Sequence, residues 1–220
     1  MMPTFSRFVP AALLLTSAAL AAAQSGAPRA DLDPVSRARL PYVHRQDLDE
    51  KGQKIFDTLP GRRPDGELRG PLAFAAYSPG VAKALFDLHN EAVAGTLNPH
   101  VRELAIMVAC RETNYNLEWN AHEASALKAG VAQNTIDIVR AKGALTGLDE
   151  QDAAVIRFGR QMLTDRKMDS ATFAKAVELF GRRGATDLVA VMTTYAASGF
   201  YAIAVDEHAP AGKPSLPQSK

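Results

Sequence analysis

Three ionisable side chains stand out because their neighbours are apolar. Glu103 lies inside the run VRELAIMVAC, residues 101–110, where an unpaired carboxylate would be costly and so needs a partner or a proton. Glu118 and His122 follow in LEWNAHE, four residues apart, a spacing that places both on one face of a helix. Trp119 and Leu117 flank them with apolar bulk. Two acids and an imidazole converging in an apolar setting are the ingredients of a proton-transfer site.

Three chemistries compete for this stretch. A metal site would use His122-Glu123 as the start of His-Glu-x-x-His, but position 126 is Ala, so the second imidazole is missing and no metal is expected. Thiol redox chemistry needs a nucleophilic cysteine and usually a resolving one. The chain has one cysteine, Cys110, in the apolar run, which reads as an inert core thiol. The third is acid–base chemistry on a bound small molecule with His122 as proton carrier. On spacing alone, an exposed Glu118–His122 helix contact worth about a few tenths of a kcal/mol stands equally open.

The elements that must position these groups are helices. Asn98-Pro99 is a helix start, with Asn as N-cap and Pro in the first turn. The apolar run that follows predicts a helix buried on most sides. A second helix carries Glu118 and His122 and closes at Gly130. Upstream, residues 48–59 have a modest helical period ending at Pro60-Gly61, residues 70–77 make one or two turns, and Ser78-Pro79 starts a helix that ends at Gly95. In that helix His89 and Glu91 read as solvated or rim residues. Downstream, residues 132–141 form a short helix and Asp149 caps a long one. A further helix starts at Asp169 or Ser170 and ends with Arg182-Arg183 before Gly184. The last, from Asp187 to about Val205, is nearly free of charge, which suits a central or subunit-interface helix. No alternating strand pattern recurs, so an all-α domain over 47–208 is expected, with a linker or arm at 24–46 and a flexible tail at 209–220.

Composition narrows the partners. Residues 1–23 carry a basic start at Arg7, an apolar stretch at 9–19 and the small-residue site Ala21-Ala22-Ala23, the three parts of a cleavable export signal. An exported, periplasmic or secreted protein beginning near Gln24 is expected, with no membrane attachment after cleavage. Without Arg7, 24 basic residues stand against 24 acidic ones, which gives no electrostatic case for nucleic acid. The expected partners are a small-molecule substrate and further copies of the chain, because the last helix is too apolar for a solvated surface.

The runs Arg102-Glu103-Leu-Ala-Ile, Glu118-Trp119-x-x-His122 and Ala126-Leu-Lys-Ala-Gly130 resemble the carboxymuconolactone decarboxylase family, which also contains the alkylhydroperoxidase D-like proteins. The likeness extends over about 70–205. It implies an all-helical subunit commonly assembled as trimers or hexamers. In the thiol branch of that family a Cys-x-x-Cys pair precedes the histidine and an upstream Glu completes a relay. Here the relay ends are Glu103 and His122, while Tyr115 and Glu118 occupy the two cysteine places. That departure speaks against the alkylhydroperoxidase or peroxiredoxin-type activity attached to the family. The Glu-Trp-x-x-His form resembles the lactone decarboxylase side, which needs neither metal nor organic cofactor. A decarboxylation of that kind would use His122, Glu118 and Glu103 as catalytic groups and Tyr115 and Trp119 as pocket wall, while Arg102 reads equally as a clamp for a substrate carboxylate or as a surface partner of a nearby acid. A helical oligomer that binds a small ligand without turnover is the alternative of a different class.

Overall fold

In the computed structural model, which describes residues 31–61, 66–70, 72–209, 212 and 214–217, several helices begin at side-chain caps. Helix α1 (Glu50–Phe56) starts at Asp49, whose carboxylate accepts from the Gly52 N–H. Helix α2 (Pro79–Val93) has proline in its first turn, but Ser78 makes no side-chain cap bond. Helix α3 (Pro99–Glu112) starts at Asn98, whose Oδ1 accepts from the Val101 N–H. Helix α4 (Asn116–Lys128) ends in a Schellman closure: Gly130, at φ 90°, and Val131 donate back to the Leu127 and Ala126 carbonyls. Helix α5 (Gln133–Ala141) follows, then α6 (Glu150–Arg160), capped by Asp149 and continued by a π-helical turn at Gln161–Asp165. Helix α7 (Ser170–Val205) is capped by Asp169.

The described residues contain seven α-helices and no strand; the fold is all-α. The break inside the C-terminal helical region falls at Gly181, with φ 68° and ψ 173°, rather than at Gly184. Gly184 is instead buried, and a Cβ there would meet Phe180 and Leu97. Two glycines three residues apart thus divide two tasks: one turns the chain, the other permits close packing.

Helix α3 is the centre. Val101 and all residues from 104 to 111 are buried on it, and α4, α5, α6 and α7 pack around it. Such all-round contact explains why this helix carries no amphipathic stripe. Gly159 on α6 faces Val108 and Met192, and Gly199 on α7 faces Thr113. Neither glycine position leaves room for a Cβ.

Residues 32–46 fold back onto this body. Ala38 and Phe74 cluster with Val205, Tyr42 stacks on Phe74 at 5.6 Å, and the Arg39 N–H donates to the Val205 carbonyl. At the other terminus Leu216 is buried, its N–H donates to Asn116 Oδ1, and Asn120 Nδ2 donates to the Pro214 carbonyl. Residues 1–23, where the export signal is expected, lie outside the described residues. Helix α7 is long and apolar enough to cross a membrane, yet 56% of its most apolar window is buried in the protein.

Candidate active site

The α3–α4 connection is short. Asn114 takes a left-handed turn at φ 54°, a conformation that asparagine tolerates better than most residues. The two helices therefore run back along each other, and α4 brings Glu118 and His122 over α3. His122 Nδ1 lies 2.9 Å from Glu103 Oε2, and His122 Nε2 lies 3.4 Å from Glu118 Oε2. The side chains of Glu103, Glu118 and His122 are 13%, 8% and 21% exposed. The contact is not a solvated surface pair, and the long-range partner Glu103 is the closer one.

These distances set the charge state. Burial of the imidazole works against its cation, but the hydrogen bonds and charges of Glu103 and Glu118 outweigh it and hold His122 at a pKa of about 9. At neutral pH His122 is an imidazolium between two carboxyl side chains. The Glu103 bond anchors Nδ1. The Nε2 side, with its longer contact, carries the proton held less tightly.

Two further residues belong to this group. Tyr195 of α7, only 5% exposed, meets the His122 ring edge-on, with centroids 5.1 Å apart and planes at 89°. Burial and the nearby Glu118 charge push its phenol above the ordinary tyrosine range, so it stays protonated. His89 of α2 packs on the same tyrosine at 5.5 Å. Burial pushes the His89 pKa down, Glu118 opposes that, and the His122 charge lowers it further. His89 is half-buried rather than solvated. Nothing in the sequence near Tyr195 signals its role, since it sits in an uncharged run 73 positions after His122.

The other anticipated residues lie around this centre in different settings. Arg102 donates from Nη1 to the Val93 carbonyl at 3.3 Å, and its buried Nε has no hydrogen-bond partner among the described residues. Its charge reaches Tyr195, whose phenol it acts to acidify. Trp119 is buried one position round α4 from Glu118; its indole N–H donates to Glu123, and the Arg140 guanidinium lies 5.3 Å above the ring. Tyr115 donates its hydroxyl to Glu207 Oε2 at 3.1 Å. These two line a cavity of about 390 Å³ with Asn114, Asp206, His208 and Ser215. Burial raises the Glu207 carboxyl to about 7, Tyr115 opposes the rise, and Glu118 adds to it. Cys110 is fully buried, and burial pushes its thiol well above the usual value. No three His, Cys, Asp or Glu side chains among the described residues are grouped as metal ligands.

The all-α bundle thus holds an imidazolium between carboxyl side chains from two adjacent helices. Residues 79–161, from α2 to the end of α6, match the model of the carboxymuconolactone decarboxylase family. No curated protein matches the chain. The matched residues include His89, Glu103, Glu118 and His122, whereas Tyr195 lies beyond them.

Proposed function

We propose that this protein performs cofactor-independent acid–base chemistry on a small carboxylated lactone or a related aromatic-derived compound, with decarboxylation as the reaction. The observation that carries the reading is His122 bridged by Glu103 at 2.9 Å and Glu118 at 3.4 Å. In such a step the bond from carbon to the leaving carboxylate breaks, and its electron pair passes into the lactone as a dienolate. The proton on His122 Nε2 then moves to carbon. A group held as a cation at neutral pH, with one ring nitrogen anchored and the other loosely held, is matched to that donation. Arg102 is the proposed clamp for a ligand carboxylate, supported by the donor on its buried Nε that no group among the described residues takes. Tyr115 and Trp119 are proposed as pocket wall.

The reading includes a homo-oligomer of trimer or hexamer type, supported by Phe200 and Ile203 of α7, which are 60% and 58% exposed. It also includes an exported address, which rests on the sequence of residues 1–23. A thiol mechanism finds less support, since the buried Cys110 is held in its unreactive protonated form.

The test is CO₂ release from carboxymuconolactone and a panel of related carboxylated γ-lactones. Wild-type protein should accelerate release from at least one compound. His122→Gln should lower that rate by about 100-fold or more, the usual worth of a positioned proton donor. Equal rates for the two proteins on every compound would refute the proposal.

A further inference from the structure

Decarboxylation needs only one group to deliver a proton, yet two histidines meet at this site. His89 comes from α2 and His122 from α4, and both pack on the ring of Tyr195, at 5.5 and 5.1 Å between centroids. The two imidazoles thus share one buried aromatic neighbour, and the charge of His122 reaches His89. Their surroundings differ sharply. His122 is clasped by two carboxyl side chains, Glu103 and Glu118. His89 has the Tyr195 ring beside it and, among the described residues, forms no ion pair. The charged and titratable groups that act on His89 are Glu118 and His122, both on α4.

We infer that His89 is a second proton carrier of this site, a base that shares the Tyr195 ring with the acid His122, and that the pair can move a double bond along an enolisable unsaturated lactone. The inference rests on the acid–base reading above and extends it from donation alone to abstraction followed by donation. His89 takes a proton from the carbon next to the lactone carbonyl. The electron pair of that C–H bond forms the new carbon–carbon double bond, and the carbonyl pair moves onto oxygen as a dienolate. His122 then gives its proton to the far end of the dienolate, and the pair on oxygen returns to the carbonyl. The ligand is isomerised with no net oxidation. His89 ends protonated and His122 neutral, and exchange with water restores both. Two groups whose environments drive their proton affinities apart are the arrangement that such a transfer requires: His89 is pushed down and His122 is raised to about 9.

The probe is α-angelica lactone, an unsaturated lactone with acidic protons beside its carbonyl. Wild-type protein in D₂O should speed both deuterium uptake at that carbon and appearance of the conjugated isomer, followed by proton NMR. His89→Gln should slow uptake by about 100-fold, and should remove the limb of the pH profile on which the rate rises as His89 loses its proton. In the same variant the His122 ring should still titrate near 9, which separates loss of a base from loss of the site. Uptake undiminished in His89→Gln would overturn the inference. So would wild-type protein that speeds no uptake while His122 titrates near 9, although donation by His122 would then stand. A His122 that titrates as free imidazole would bring down the underlying reading as well.

Discussion

Replacing Glu103 by Gln removes the closer of the two charges on His122 while keeping the side-chain shape, and its effect on stability can be worked from the site. His122 moves from an ordinary 6.5 to about 9 in the folded protein. At 1.36 kcal/mol per pH unit that preference for the cation is about 3 kcal/mol. Because the folded-state pKa is the higher one, the folded protein binds more protons between the two values, and stability falls as pH rises. The contribution is fully present below about pH 6.5 and is gone above about pH 9. Glu207 loses its own contribution over a lower range, as pH rises from 4.5 to about 7, and does so equally in wild type and variant. Urea unfolding at pH 6 and pH 9.5 is the assay. At pH 6 the Glu103→Gln protein should be less stable than wild type by about 2 kcal/mol, most of the linkage energy. At pH 9.5, where His122 is neutral in both, the gap should shrink to within about 1 kcal/mol, the ordinary worth of a neutral hydrogen bond. Stability curves that stay parallel from pH 6 to 9.5 would refute the argument.

Other expectations follow from single positions. Cys110→Ala should leave CO₂ release unchanged and cost about 1 kcal/mol in unfolding experiments, because the thiol is a core filler with no hydrogen-bonding or acid–base duty. Gly159→Ala should cost about 1–3 kcal/mol by thermal unfolding, since its Cβ would overlap Val108 and crowd Met192 between α3, α6 and α7. Light scattering at micromolar concentration should give a mass of three or six subunits; a uniform monomer would contradict the proposed assembly.

The parts of this molecule governed by local chemistry are readable from the chain. Asn98, Asp149 and Asp169 are caps in sequence and in structure because the cap bond spans only three residues. The Glu118–His122 pairing is likewise fixed by one turn of helix. Glu103 is readable for another reason: a charge inside an apolar run must find a partner. Tyr195 and His89 are not readable in this way. Each lies in a helix of ordinary pattern, and only the packing of α7 against α2 and α3 brings Tyr195 against both His89 and His122. Trp119 shows a finer limit. It neighbours Glu118 in sequence, but one residue is about 100° of helix, enough to turn the indole toward Glu123 and Arg140.

The account stands on His122 being an imidazolium at neutral pH, held there by Glu103 and Glu118. NMR titration of the histidine rings measures this without any substrate. The His122 signal should move with a midpoint near 9 in wild-type protein, and lower in Glu118→Gln and lower still in Glu103→Gln, in the order of their 3.4 and 2.9 Å contacts. A His122 ring that titrates near 6.5 in all three proteins would contradict it.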